Sequence, residues 1–495
     1  MTKVLYIWTI LLIQNLQKQI VQMLRDWKFQ IELNSHSEKP IYLQIADAIM
    51  NDIHSGRLKA GDALPGSRNL AQLLKVNRNT VVEALNVLLN EGWLISKERK
   101  GTFVADILPS QHQNSQHQKT DEASDLKSKN HFRIQFDDGY PDSKIAPIEE
   151  LARAYRQIFN RKAKWQMMGY GDELGDIEFR KTIAQMLNHQ RAMQTNEEQI
   201  CITRGSQMAM YLTAQCLLQE GDLVMIEDPG YKPAWKTFEN AGAKLLPVNV
   251  DKDGLIIEDV IDYLKKNERI KAIYITPHRQ YPTTVTLSLK RRLELIKLSN
   301  EYSFTIIEDD YDNEFHFGYR PILPLSSLTE LKNYVYIGTM SKVVAPALRI
   351  GYLVCNDHSF VEKIGDLRKI IDVQGDNIME QAVLQLIKDG TVKRHIKKAT
   401  NYYKNKRDSV AELLNQHLKN KADYNIPEGG LAFWISPKKK VDWSEISEKL
   451  KSKGIKIIPP DNYSFDKSVN GIRLGYGSLS EKELEESIIA LSQFL

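Results

Sequence analysis

The sequence predicts an α/β fold with a mostly parallel sheet, preceded by a winged helix-turn-helix and completed by a smaller C-terminal α+β lobe. Three observations carry this. From Phe132 onward, short apolar runs that end in polar residues alternate with helical stretches, the pattern of buried parallel strands joined by helices. Residues 38–105 instead show three helical segments and then a hairpin pattern. Beyond Asn356 the chain is mainly helical, with late strands at Gly429–Ile435 and near Ile472–Leu474.

A chain of 495 residues is too long for one ordinary domain. Its 42% hydrophobic and 26% charged residues are those of a soluble globular protein. The formal net charge of +4 is too small to indicate nucleic-acid binding, so that reading needs a local motif. Cys201, Cys216 and Cys355 are scattered, without metal-ligand spacing, which suits a reducing cytosol. No metal site is expected. At the N-terminus Val4–Leu16 is apolar but interrupted by Gln14 and Asn15, is too short to span a bilayer, and lacks a small-residue cleavage site. Residues 1–37 therefore read as an extension, with Met23 an alternative start, and a cytoplasmic location is expected.

In the first domain, residues 38–105, Pro40 opens a helix over Ile41–Met50. Ser67 is expected to cap a short second helix, Arg68–Leu74. A third helix runs from Arg78 to about Glu91 and stops at Gly92. Trp93–Ser96 and Gly101–Val104 alternate like a hairpin around Lys97-Glu98-Arg99-Lys100, forming the wing. Arg78, Asn79 and Thr80 open the recognition helix, where side chains meet the major groove. Arg68, Lys97, Arg99 and Lys100, with Thr102 on the wing, suit phosphates. The pattern alone also admits a small helical interaction module with a solvated charged hairpin. However, Leu64-Pro65-Gly66-Ser67-Arg68-Asn69-Leu70-Ala71, Val76–Val81 and Gly101-Thr102-Phe103-Val104 resemble the GntR-type winged helix, with Gly66 where that family usually has Ser.

Residues 106–131 are rich in Gln, Ser, His, Asp and Lys and cannot bury a core. As a flexible tether of about 25 residues they would span roughly 25–30 Å.

The second domain, residues 132–495, places polar groups at successive strand ends. Gly205-Ser206-Gln207 lies between a strand and a helix, the position of an anion cradle. Asp309 and Tyr311 close one apolar run, and Thr339, Ser341 and Lys342 the next, with Arg349 shortly beyond. Tyr231 sits in Asp228-Pro229-Gly230-Tyr231, and Arg473 near the last strand. Taken singly these are weak signals. Asp309–Asp312 is equally a metal-binding or solvated turn, and Arg473 a surface arginine. In this order they resemble the fold-type I aminotransferases, which implies pyridoxal phosphate (PLP) as cofactor. By that resemblance Lys342 forms the Schiff base, Asp309 pairs with the pyridine nitrogen and Tyr311 bonds the ring hydroxyl. Ser206, Gln207, Thr339, Ser341 and Arg349 hold the phosphate, Tyr231 stacks on the ring, Tyr281 is a further cofactor-binding residue, and Arg473 grips a substrate carboxylate.

The whole chain resembles the MocR/GabR transcription regulators through Thr276–Thr283 and Ile307–Phe315. Two departures stand out: His278-Arg279 precede Gln280, and Thr284 replaces the usual Gly. The Asn that aminotransferases carry near Tyr281 is also missing, which counts against efficient transamination. The resemblance implies a PLP-dependent DNA-binding regulator that senses an amino acid or amine by aldimine exchange on Lys342. It also implies a homodimer, domain-swapped, on an operator of double-stranded DNA. The other reading is an active aminotransferase with an accessory DNA-binding domain. His278 and Arg279 are expected to alter the ligand pocket.

Overall fold

The computed structural model describes residues 33–34, 39–97, 101–106, 132–160, 168–267, 269–312, 314–318, 322–465 and 469–495. Met23, Arg99, Lys100 and nearly all of the 106–131 tether lie outside them. The chain divides into two compact units between residues 129 and 130. No helix among the described residues is long and apolar enough to cross a membrane.

In the first unit, α1 (Ile41–His54), α2 (Ser67–Leu74) and α3 (Arg78–Asn90) enclose a core of Ile45, Ile49, Leu70, Val81, Leu85 and Leu88. The wing pairs β1 (Leu94–Lys97) with β2 (Gly101–Val104), antiparallel. One expected cap differs. Gly66 holds the N-cap position of α2 and Ser67 is its first residue, so the Ser67 hydroxyl is free to accept from Arg78 Nε at 3.3 Å. The α3 terminus is capped by Asn77, whose side chain accepts from the Asn79 backbone N–H. Arg68, Arg78 and Asn79 are exposed, and Thr80 and Thr102 half-buried.

The second unit is built on an eight-stranded sheet. Its strands are β4 (Ile200–Thr203), β5 (Leu223–Asp228), β6 (Lys244–Asp251), β7 (Gly254–Leu255), β8 (Ile270–Ile275), β9 (Thr305–Asp310), β10 (Tyr334–Thr339) and β11 (Gly351–Cys355), in spatial order β4-β11-β10-β9-β8-β5-β6-β7. Strands β10, β9, β8, β5 and β6 run parallel, while β11 and β7 are antiparallel to their neighbours. Strands β4, β9 and β10 are buried on both faces, which is why they read as continuous apolar runs. Alternation sends Ile307, Val335 and Tyr274 into one core and Ile306, Ile273 and Tyr336 into the other. A third core belongs to the C-terminal lobe. There β12 (Ala422–Asp423), β13 (Ala432–Pro437) and β15 (Ile472–Gly475) form an antiparallel sheet against the long helix Thr391–Leu418. That lobe also pairs β14 (Ile455–Lys456) with β3 (Ile134–Gln135), so the start of the domain is tied to its end.

Candidate cofactor and ligand site

Strand β9 stays buried to its last residue although it ends Glu308-Asp309-Asp310, and each carboxylate has its own solution. Glu308 accepts the backbone N–H groups of Leu325 and Ser326. Alternation puts Asp310 on the same face as Glu308, where it accepts from the Tyr336 hydroxyl at 2.6 Å and lies 3.5 Å from Arg191. Asp309 faces the other way. Its Oδ2 accepts from the Tyr274 hydroxyl at 2.8 Å, and its buried Oδ1 has no hydrogen-bond partner among the described residues. Burial pushes the Asp309 carboxyl up to about 7, with the Tyr274 hydrogen bond opposing. Asp309, Asp310 and Asp312 are buried, so the alternative of a solvated turn does not hold, and no group of three or more metal-ligating side chains exists among the described residues.

Asp309 lines a cavity of about 380 Å³ at the carboxyl ends of the parallel strands, together with Ser206, Gln207, Tyr231, Tyr281, Tyr311, Thr339, Ser341, Lys342 and Arg349. The sequence-predicted groups are therefore brought together, with one exception. Half-buried Lys342 places Nζ 4.7 Å from the centre of the Tyr311 ring, and burial lowers its pKa below the ordinary lysine value. The helix Ser206–Leu217 points its N-terminus at this space. Gly205 precedes it at φ +82°, and a Cβ there would meet Arg349 Nη2 at 2.7 Å, so the cradle needs glycine. Ser341 Oγ and Gln207 Oε1 are buried without partners among the described residues. Thr339 serves the loop instead, donating to the Ile350 carbonyl and accepting from the Ser341 N–H.

The exception is Arg473. It is 1% exposed, so it is no surface arginine, yet it is not part of the cavity wall. From β15 it donates to the carbonyls of Asp138 and Pro282 at 3.1 and 3.0 Å and to the Tyr311 hydroxyl at 3.4 Å, behind the Tyr281 and Tyr311 rings. The Tyr311 hydroxyl gives its own proton to the Arg279 carbonyl.

His278 and Arg279 do not line the cavity, so they can alter the ligand pocket only from behind its wall. The Arg279 guanidinium is a buried strut to the carbonyls of Asp312 and Phe315, and His278 lies between Ile322 O and Asp310. They face away because the turn carrying them is folded back through Gln280, whose Nε2 donates to Pro229 O. The other departure, Thr284, adopts φ +65°. A β-branched residue is strained there, so Thr284→Gly is expected to stabilise the protein by roughly 0.5–1 kcal/mol, read as a higher urea midpoint.

Sequence reading missed Tyr274, Thr276, Tyr140 and Asp138, all in the cavity wall. A tyrosine within an apolar strand carries no signal of its own. The adjacent pair Asp137-Asp138 before Gly139 was a signal, since two carboxylates near a strand end need partners. Asp137 has them in the N–H groups of Gly139 and Tyr140 and in Ser478.

Comparison with known proteins agrees with this geometry. The aminotransferase class I and II family matches residues 137–491, and the bacterial regulatory proteins of the gntR family match residues 41–104. The chain is 27% identical to "Probable rhizopine catabolism regulatory protein MocR" of Rhizobium meliloti over 94% of this chain and 95% of that one. It is 26% identical to the HTH-type transcriptional regulator NorG of Staphylococcus aureus, over 87% and 99%. Among solved structures, an archaeal alanine:glyoxylate aminotransferase aligns with a TM-score of 0.70 and 28% identity, covering 75% of this chain and 93% of that one. With the strand-end constellation, the GntR-type domain ahead of it and end-to-end likeness to named regulators, the chain belongs to the aminotransferase class I and II family, among the transcription regulators of the MocR/GabR kind.

Proposed function

We propose that this protein is a DNA-binding transcription regulator that holds PLP on Lys342 and responds to an amino compound bound in the same cavity. The observation that carries the reading is one cavity lined by Lys342, by Asp309 and Ser341, whose buried Oδ1 and Oγ have no hydrogen-bond partner among the described residues, and by the N-terminus of the helix Ser206–Leu217. Those donors and acceptors fit the nitrogen and the phosphate of PLP. The cofactor supplies an aldehyde that condenses with amines and a ring that withdraws electrons. Asp309 would keep the ring nitrogen protonated, Ser341, Ser206, Gln207 and Arg349 would hold the phosphate, and Tyr231 and Tyr281 would confine the ring. Lys342, whose pKa burial lowers, would carry the cofactor and would be the group that a ligand amine replaces. Arg473 would receive a ligand carboxylate only after releasing its carbonyl partners and moving from behind the Tyr281 and Tyr311 rings.

In the first unit Arg68, Arg78, Asn79, Thr80, Lys100 and Thr102 would contact an operator, as a homodimer. Ligand binding acts on DNA only if the two conformations bind the ligand with different free energies. The retained Lys342, Asp309 and Arg473 also support a second reading, an active aminotransferase. Lys342→Ala decides between them. The expected result is loss of the visible cofactor band and of any ligand effect on operator binding, while the wild-type protein shows no multiple turnover with a keto acid. Rapid turnover would favour the enzyme. A protein that is colourless and indifferent to added PLP would overturn both.

A further inference from the structure

Asp138 stands out when the charges of the cavity are paired off. If the preceding reading holds, each charged wall group has a counterpart on the cofactor: Lys342 the aldehyde, Asp309 the ring nitrogen, Arg349 the phosphate. Asp138 has none. Its Oδ1 accepts from the Tyr281 hydroxyl at 2.6 Å, its other oxygen accepts no hydrogen bond among the described residues, and the side chain lines the cavity. Asp137 beside it is fully engaged, so the two are not interchangeable. Arg473 bonds the Asp138 carbonyl rather than its carboxylate, so its charge acts on Asp138 only through space and leaves the carboxylate open to a direct donor. The Asp138 backbone is fixed from both sides: Asp137 Oδ1 caps the following turn, and Gly475, where a Cβ would lie 2.4 Å from Asp137 O, abuts it. The carboxylate itself is held at the wall by the Tyr281 hydroxyl.

We propose that Asp138 selects a ligand carrying a second protonated nitrogen, in addition to the amine that engages the cofactor. A carboxylate already committed to one neutral donor, facing a partly desolvated cavity, gains most from a charge-assisted hydrogen bond to an ammonium or guanidinium group. An apolar ligand tail would leave that oxygen desolvated and unpaired. Two ligand types present this chemistry, a diamine and a diamino acid, and they differ in whether Arg473 must open to take a carboxylate.

The test uses the full-length PLP-loaded protein, with spectral and calorimetric titration of two matched pairs: L-ornithine against L-norvaline, and putrescine against butylamine. The dicationic member of at least one pair is expected to bind about tenfold or more tightly than its partner. Asp138→Asn, which keeps the shape and the acceptor for Tyr281, is expected to erase that ratio. A preference confined to the ornithine pair assigns a diamino acid; one confined to the putrescine pair assigns a diamine. Equal binding within both pairs of the wild-type protein, or a ratio that survives Asp138→Asn, overturns the role of Asp138 while leaving amine sensing intact. A yellow protein whose band no amine shifts overturns the sensing reading and this inference together. The wild-type comparison holds even if the variant fails to fold.

Discussion

Replacing Asp309 by asparagine is expected to weaken PLP binding by about a hundredfold or more, because it removes one partner of a buried, hydrogen-bonded charge pair. The substitution is nearly isosteric and keeps an acceptor for the Tyr274 hydroxyl, so the loss reports charge rather than packing. The cofactor-free protein should behave in the opposite sense. Burial holds the folded-state pKa of Asp309 at about 7, above its usual carboxylate value. Between those two values the folded protein keeps a proton that the unfolded chain has released. The contribution to stability is then full at low pH and is lost as pH rises through about 7. Apo wild-type protein should lose on the order of a few kcal/mol over this interval from this group, apo Asp309→Asn should not, and added PLP should restore the wild type. Thermal midpoints across a pH series, with and without PLP, measure all three. Equal slopes in the two apo proteins would show that Asp309 titrates as an ordinary carboxylate.

The second large effect is expected at Arg191→Met. Its guanidinium lies 3.5 Å from Asp310 and 3.2 Å from Glu314, on the face of β9 opposite the cavity. His278 Nδ1 lies 3.3 Å from Asp310, but burial lowers the His278 pKa to about 4, so that imidazole is neutral at pH 7 and cannot replace the arginine. Removing Arg191 takes the nearest cation from both Asp310 and Glu314 and leaves the more distant, buried Arg292 to act on Asp310, for a loss of about 3–5 kcal/mol. Methionine keeps much of the stem volume. Burial already pushes Glu314 up to about 7 against the pull of Arg191. The variant should therefore be less impaired at pH 5, where Glu314 is protonated, and adding Glu314→Gln should recover part of the loss. Urea unfolding at two pH values tests this, and a loss under 1 kcal/mol would mean that water or Tyr336 carries the load.

Much of the site was legible because its chemistry is local in sequence. A glycine–hydroxyl turn between strand and helix, or a carboxylate closing an apolar run, is written in adjacent residues, since strands must end where their buried face ends. That placed Ser206, Asp309, Thr339 and Lys342 at one end of the sheet before any contact was known. What adjacent residues do not write is direction. Strand alternation decides that Asp309 faces the cavity while Glu308 and Asp310 face away. A folded-back turn decides that His278 and Arg279 lie behind the wall rather than in it.

Arg473 and Asp138 show the remaining limit. Sequence alone determined that the chain joins a GntR-type winged helix to a fold-type I aminotransferase-like domain, and named a lysine, a carboxylate and a phosphate cradle. Only the tertiary structure decided what meets them from distant parts of the chain. It brought Tyr274 to Asp309, set Arg473 behind two tyrosines, and left the Asp138 carboxylate facing the same space as Lys342. The physical reason is that burial, not proximity along the chain, sets which polar groups must find each other.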